Sequence, residues 1–443
     1  MYLKPKVYEH LENTWEGYSV TLEDIVRNDC TYQHYLRYIG QEPDKKKRGP
    51  SIVVDNLESG MKALVSKYLK DCYGDRLETA NKSTVNDFID AEIVGCIEDS
   101  LIDVAVLPAG GFESTVKTGK LPTWVIALAS TKAYLMKKKK AFIIIMNRNN
   151  QKWASYSITG DLSIVAKEVL EDVKELQSRI DNKIDHLGRD SDCFRCSFAR
   201  TCAAKKQQAK LPYTVKYTKV APSANLCLAV DKYLFSLNNE KTGRATHCIH
   251  PSEFSVYACD RRIAYSLMGT KRHNNISPHL RRIFDVGHIC HDIIQNALTE
   301  TMPDDCEIEV PVHHEQYKIK GHCDGVYKDN IGRRNGIEIK SISSKGFEKL
   351  SSAKKDHQKQ GTLYGTPLDL HTMNYLYMNK DTGNIKEFEA PVSKNMWHNL
   401  AARAESILRD VKKDVMPERI DKDYLCKQCP FMWTCRPGLR RSA

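Results

Sequence analysis

Two periods of hydrophobic and polar positions alternate along the second half of the chain. In "HPSEFSVYACDRRIAYSLMG" and "HLRRIFDVGHICHDIIQNALTE" apolar residues recur at helical spacing, which predicts a capped helix running through Cys259 and a second helix after it. The stretches "EIEVPVHHEQYKIKGHCDGVYKD" and "NGIEIKSIS" switch to strand-like alternation, with a turn between them at "DNIGRRNG". A helix over "SSAKKDHQKQGTLYGTPLDL", a strand over "TMNYLYMNK" and a long amphipathic helix over "SKNMWHNLAARAESILRDVKKD" follow. The predicted order of helix, helix, strand, strand, helix, strand, helix signals a mixed α/β core.

The pattern breaks between residues 203 and 248. "AAKKQQAKLPYTVKYTKVAPSANLC" is polar and carries prolines, so it reads as a connector with room for a strand, and "LFSLNNEKTGRATHCIHPSEF" holds turn residues. This divides the chain into an N-terminal module over 1–205, a connector over 206–247 and a C-terminal module over 248–443. A length of 443 residues suits two such modules, each with its own core.

Both modules carry one cysteine signature. Cys30 goes with Cys193, Cys196 and Cys202; Cys259 goes with Cys426, Cys429 and Cys435. In each set one distant cysteine precedes a compact C-x2-C-x5-C, and the two long gaps are nearly equal. Other landmarks keep a similar offset: Gly40 with Gly269, Gly95 with Gly321, Lys117 with Lys340, Tyr134 with Tyr364. These regularities predict a divergent tandem repeat, each copy an α/β module with a mixed sheet, flanking helices and a four-cysteine metal clasp. Four thiolates with a C-x2-C pair suit tetrahedral zinc or an iron-sulfur cluster, and spacing alone leaves both open. The remaining cysteines, Cys72, Cys96, Cys227, Cys248, Cys290, Cys306 and Cys323, read as small buried hydrophobes.

Composition narrows the setting. No run of eighteen apolar residues exists and "MYLKPKVYEHLENTWEGY" lacks a signal-peptide core, so the expectation is a soluble, cytoplasmic protein with no membrane partner. In a reducing compartment clustered cysteines serve as metal thiolates rather than disulfides. The net charge of +11 is clumped at Lys45 to Arg48, Lys137 to Lys140, Arg261, Arg262, Lys271, Arg272, Arg281 and Arg282. Such clumping suits a polyanion such as nucleic acid. No G-x4-G-K-[ST] motif appears, which argues against a built-in ATP motor.

The candidate chemistry lies in the C-terminal module. Asp324 sits in "KGHCDGVY", and Glu338 and Lys340 are two apart in "GIEIKSIS", where a strand puts them on one face. Two carboxylates and a lysine at one sheet edge can hold a divalent cation through oxygen ligands, while the lysine orients or helps deprotonate a water. His291 in "VGHICHDII" can add a nitrogen ligand, with His288 and His322 as competitors. Gln360 and Tyr364 in "KQGTLYG", at i and i+4, share a helix face.

Taken in order, "GHICH", "GHCDG", "EIK", "QGTLY" and the cysteines of "YACDRRIAY" and "CKQCPFMWTC" resemble the RecB-type nucleases of the PD-(D/E)XK superfamily. The resemblance is to their iron-sulfur branch, which includes CRISPR-associated exonucleases, and it covers about residues 248 to 436. It implies that His291, Asp324, Glu338 and the Ile339 carbonyl bind Mg²⁺ or Mn²⁺, that Lys340 acts in catalysis, and that Gln360 and Tyr364 complete the site. It also implies a 4Fe-4S cluster on Cys259, Cys426, Cys429 and Cys435, and by repetition a second on Cys30, Cys193, Cys196 and Cys202. The expected activity is a metal-dependent DNA nuclease directed at single strands or free ends, working beside replication, repair or recombination proteins. The alternative is a nonenzymatic DNA-binding or assembly protein built from nuclease-like domains.

Carried to the N-terminal module, the offset puts Leu64 at the histidine, Glu98 at Asp324, Thr115 at Glu338, Lys117 at Lys340, Ser130 at Gln360 and Tyr134 at Tyr364. Leucine and threonine cannot replace an imidazole and a carboxylate. The expectation is an inactive copy that keeps its cluster, with Glu113 as the substitute carboxylate should the strand register slip by two. The lysines at 137 to 140 suggest retained DNA binding, with a pure scaffold role as the alternative.

Overall fold

A computed structural model describes residues 3–13, 22–27, 50–79, 82–86, 89–181, 218–223, 225–239, 245–256, 259–273, 276–420, 425–426 and 429–436. The chain forms two compact units, Glu12–Tyr233 and Met1–Leu11 with Leu234–Ala443. These bounds differ from the sequence boundaries at both ends. The first residues join the C-terminal unit, and part of the expected connector completes the N-terminal one.

Helix α1 (Leu3–Asn13) buries Leu3, Val7 and Leu11 at helical spacing. Its free N-terminal amides at Leu3 and Lys4 donate to the Glu387 carboxylate at 3.0 Å. A carboxylate there satisfies orphan donors and complements the helix dipole.

In the N-terminal unit, α2 (Leu22–Arg27) and α3 (Pro50–Tyr73) precede a small hairpin of β1 (Lys82–Asn86) and β2 (Ile89–Glu92). A five-stranded sheet follows in the order β3 (Gly95–Ile97), β4 (Ser100–Leu107), β5 (Lys140–Asn147), β6 (Trp153–Gly160) and β7 (Thr218–Ser223). Helices α4 (Ala109–Thr118) and α5 (Thr123–Leu135) carry the crossover from β4 to β5, the sheet's parallel pair. Helix α6 (Leu162–Asp181) follows β6, and α7 (Asn225–Ser236) follows β7. On α3, Val53, Leu57, Met61, Val65 and Leu69 recur every four residues and are all buried.

In the C-terminal unit, α8 (Pro251–Val256), α9 (Asp260–Leu267) and α10 (Pro278–Thr301) lead into β8 (Cys306–His314), β9 (Ile319–Lys328) and β10 (Arg334–Ile342). Helices α11 (Ser344–Glu348) and α12 (Lys355–Gly365) cross over to β11 (Thr372–Asn379), which runs parallel to β10. Strand β12 (Ile385–Pro391), α13 (Lys394–Lys412) and α14 (Met432–Cys435) complete it, with sheet order β12-β11-β10-β9-β8. Every residue of β11 is buried, as expected of a strand inside a sheet covered on both faces.

Three local features depart from the sequence reading. The helix expected through Cys259 is two helices, and Cys259 between them is extended at φ −105°, ψ 100°. The alternation over 306 to 328 is a hairpin of two strands, whose turn places Lys318 at φ 51° without glycine, asparagine or proline to announce it. Strand β12 also lay outside the predicted order.

The two sheets share one plan. Each has a single parallel pair at its centre, bridged by two helices, with antiparallel neighbours on either side. In each, pairing ahead of the parallel strand ends at one glycine–isoleucine step: Gly325 opposite Ile337, and Gly95 opposite Ile102. A Cβ on Gly325 would crowd the Glu307 carbonyl at 3.3 Å, and one on Gly95 the Glu78 carbonyl at 3.0 Å. Both glycines therefore let a neighbouring backbone approach.

Candidate active site

Helix α10 starts cleanly, with the Ser277 hydroxyl accepting from Leu280 N at 3.1 Å and Pro278 in its first turn. It carries His291 and Gln295 one turn apart on one face. His291 Nδ1 lies 3.6 Å from Asp324 Oδ1. Gln295 Nε2 donates to Glu309 Oε1 at 2.8 Å and to the Asp324 carbonyl at 2.9 Å, tying the helix to both strands beneath.

Asp324 stands where β9 and β10 part. Cys323 and Val326 pack into the same core although three residues apart, so strict alternation breaks at Asp324 and Gly325. The Asp324 carboxylate takes up the slack: its Oδ2 accepts from Ile339 N at 2.6 Å. Burial pushes its carboxyl up to about 6, against the pull of Lys340 and the Ile339 amide.

Glu338 on β10 is fully buried, and neither carboxylate oxygen has a well-formed hydrogen bond. Its charge is met by the Lys340 ammonium, which touches Oε1. Burial pushes the Glu338 carboxyl up to about 7, with Lys340 opposing and Asp324 adding. Burial works against the Lys340 charge too, but Glu338 and Asp324 outweigh it and hold the ammonium charged. His291 is pushed down by burial and by Lys340, which keeps its imidazole available as a neutral ligand.

Helix α12 supplies the far wall. Gln360 and Tyr364 are buried, and Gln360 Nε2 donates to the Tyr364 hydroxyl at 2.9 Å. Burial and the Glu338 charge raise the Tyr364 hydroxyl well above its usual range.

The structure thus brings together His291, Asp324, Glu338, Ile339, Lys340, Gln360 and Tyr364. Two further residues belong with them. Glu309, on β8 opposite Asp324, joins His291 and Asp324 in a set whose ligand atoms lie within 4.8 Å of one another. Its φ of 51° is the left-handed region, a strained conformation for a glutamate in a strand. Glu338, turned to Lys340, lies outside that set. His357 sits one turn before Gln360; its Nδ1 is 2.8 Å from the Tyr377 hydroxyl, and burial and Lys340 push it down to about 4. The stripe His357, Gln360, Tyr364 was readable as helical spacing, whereas Glu309 needed the hairpin.

The donor set fits a hard divalent cation: two carboxylates and an imidazole converge beside a buried carboxylate with unsatisfied oxygens. Cys259, Cys426, Cys429 and Cys435 line one pocket with Arg262, Tyr265 and Phe431, so four soft donors share a cavity. Burial raises the Cys429 thiol, with Arg262 opposing and Cys259 and Cys426 adding. Cys30, Cys193, Cys196 and Cys202 lie outside the described residues.

The N-terminal unit places its residues differently from the sequence alignment. Thr115, Lys117 and Glu113 lie on α4, where Thr115 is buried with its hydroxyl on the Gly111 carbonyl at 2.9 Å; none stands on a strand. Glu98 is in the turn between β3 and β4 at φ 52°, Leu64 is half-buried on α3, Ser130 is buried on α5, and Tyr134 is exposed. By strand pairing, Asp103 holds the place of Glu338, Ala105 that of Lys340 and Val94 that of Asp324. Asp103 is buried and its carboxylate takes both contacts from the Lys132 ammonium of α5, at 3.0 and 3.2 Å. Of the four lysines at 137 to 140, Lys138 donates to the Glu98 carbonyl at 2.7 Å and Lys139 lies 3.6 Å from Asp99, so the run is partly neutralised locally.

The sequence matches no known protein family and no curated protein. Among solved structures the chain is similar to SSO0001, at 20% identity and a TM-score of 0.30 over 47% of this chain and 94% of that one. It is also similar to an alkaline exonuclease, LHK-Exo, from Laribacter hongkongensis, at 11% identity and a TM-score of 0.31 over 44% of this chain and 96% of that one. The complex of LHK-Exo with dAMP matches at 12% identity over the same shares, again with a TM-score of 0.31. Fold and site together define a mixed α/β chain of two five-stranded sheets, one of which carries a buried carboxylate and lysine centre. Among the described residues no helix is long and apolar enough to cross a membrane.

Proposed function

We propose that the C-terminal unit is a divalent-metal-dependent DNA nuclease. The observation that carries this reading is the fully buried Glu338, whose charge is met by the Lys340 ammonium, beside the converging ligand atoms of His291, Glu309 and Asp324. Mg²⁺ or Mn²⁺ would be held by His291, Asp324, Glu338 and the Ile339 carbonyl, with Glu309 adjoining, and would polarise the phosphodiester and lower the pKa of an attacking water. Lys340, whose ammonium touches Glu338 and is kept charged by Glu338 and Asp324, would orient that water by hydrogen bonding and lend positive charge to the phosphate. Gln360 fixes the Tyr364 hydroxyl, so both present polar groups of set direction to the substrate. The substrate is DNA with single strands or free ends, and the setting is replication, repair or recombination.

The four thiols would hold a 4Fe-4S cluster that clasps the ends of the unit. Four thiols around one cavity supply soft donors that tetrahedral zinc and an iron-sulfur cluster both accept, and the resemblance to the iron-sulfur branch favours the cluster. The N-terminal unit, whose Asp103 is neutralised by Lys132, is a scaffold or substrate clamp without a catalytic cation, and its own cysteine set would hold a second 4Fe-4S cluster.

End-labelled single-stranded DNA incubated with Mn²⁺ and anaerobically purified protein is the direct test. Digestion abolished by Glu338→Ala and Lys340→Ala supports the reading. Full cleavage by either variant would place the site elsewhere. Iron and acid-labile sulfide in the purified chain, with zinc at background, would support the clusters.

A further inference from the structure

Beyond Asp324, alternate positions of β9 run through His322 to Lys320, both exposed. On β8, Pro311 pairs with His322 and His313 with Lys320. A groove of about 520 Å³ opens here, lined among others by His250, Pro311, His313, Lys320 and His322. His313 Nε2 lies 3.0 Å from Glu315 Oε2, and His250 Nε2 lies 2.8 Å from the Ala245 carbonyl. The side chains of Lys320 and His322 have no polar partner among the described residues.

The three imidazoles of this groove do not form a cation set of the kind made by His291, Glu309 and Asp324. An ammonium and several flat rings suit an anion joined to an aromatic ring, which is the chemistry of a nucleotide. At about 3.3 Å per residue, His322 stands about 7 Å and Lys320 about 13 Å along the strand from Asp324. A single strand advances about 3.4 Å per stacked nucleotide, so the groove lies a few nucleotides from the phosphodiester at Asp324.

Resting on the nuclease reading, we propose that this groove seats the nucleotides of a single DNA strand next to the bond being cut. Lys320 takes a backbone phosphate, and His322, with the rings of His250 and His313, takes a base.

The test uses the full chain carrying Lys340→Ala, which keeps the oligonucleotide intact, with and without Lys320→Ala and His322→Ala together. Anisotropy of a short labelled oligothymidylate is read against salt, and Mn²⁺ binding is read by calorimetry on the same samples. The expected result is affinity about tenfold weaker and a salt slope shallower by about 0.7, with Mn²⁺ binding unchanged. Equal affinity and equal slope in the two proteins, with Mn²⁺ bound by both, overturn the groove and leave the nuclease reading standing. Failure of the parent chain to bind both Mn²⁺ and DNA overturns the two together. Zinc titrating to a further site that the double variant loses overturns the groove as a nucleotide seat and makes it a cation site.

Discussion

Lys132 Nζ lies 3.0 Å from Asp103 Oδ2 in the core of the N-terminal unit, at the strand position that Glu338 holds in the other sheet. In both places a buried carboxylate on the first strand of the parallel pair meets an ammonium. Lys340 comes from the same strand two residues on, while Lys132 comes from the crossover helix. With Val94 in the place of Asp324, the N-terminal pocket has a built-in cation and too few oxygens to need another. Lys132→Met leaves Asp103 buried and unpaired, and the expected cost is about 3 to 5 kcal/mol. Asp103→Leu with Lys132→Met should recover most of it. Urea unfolding checks both, and Mn²⁺ bound per chain should not change in either.

Glu309 is held by Gln295 while its backbone occupies a strained conformation, so geometry is being maintained at the expense of local stability. Glu309→Gln keeps the shape and removes one charge from the cation set. Mn²⁺ affinity should fall about tenfold, the range seen when a metal site loses a supporting group, while the melting temperature of the metal-free chain holds or rises. Unchanged affinity by calorimetry would mean that Glu309 faces no cation.

The raised carboxyls of Asp324, about 6, and Glu338, about 7, give a pH dependence with a definite sign. Burial makes the folded chain hold these protons to higher pH than the unfolded chain does. The stability they contribute is therefore complete below about pH 4 and is lost as pH rises through 6 and 7. Cation binding needs the ionised forms and moves the other way. Metal-free protein should melt lower at about pH 8 than at about pH 5.5, and the rise in melting temperature on adding Mn²⁺ should be larger at the higher pH. Thermal scans across that range decide it.

What the sequence made legible follows from short-range spacing. Glu338 and Lys340 two apart on a strand, and Gln360 and Tyr364 four apart on a helix, announce shared faces by themselves. Glu309 does not, because in "EIEVPVHH" it is one charge among alternating charges. It gains meaning only opposite Asp324, across a hairpin whose turn lacks the usual turn residues. The N-terminal correspondences failed for a related reason. A fixed offset counts residues, but β3 joins β4 through Glu98 and Asp99 alone, whereas β9 joins β10 through a longer loop from Asp329 to Arg333. Strand pairing is insensitive to that difference, and it leads to Asp103 rather than to Thr115.

Gly361 sets how closely α12 approaches the sheet. A Cβ there would run into the Tyr375 hydroxyl and stand 3.1 Å from Met373 Cγ, both on the buried strand β11. Gln360 precedes this glycine and Tyr364 follows it by three, so any outward shift of the helix carries both away from Glu338. Gly361→Ala should cost about 1 to 3 kcal/mol, as overpacking does. It should lower the turnover of DNA cleavage more than the affinity for Mn²⁺, since His291, Glu309 and Asp324 ride on α10, β8 and β9. Gly110→Ala on α4 is the matching control: its Cβ meets nothing within 4 Å, and removing a helical glycine should stabilise by about 0.5 to 1 kcal/mol. Equal effects of the two substitutions on turnover would show that the approach of α12 does not govern the site.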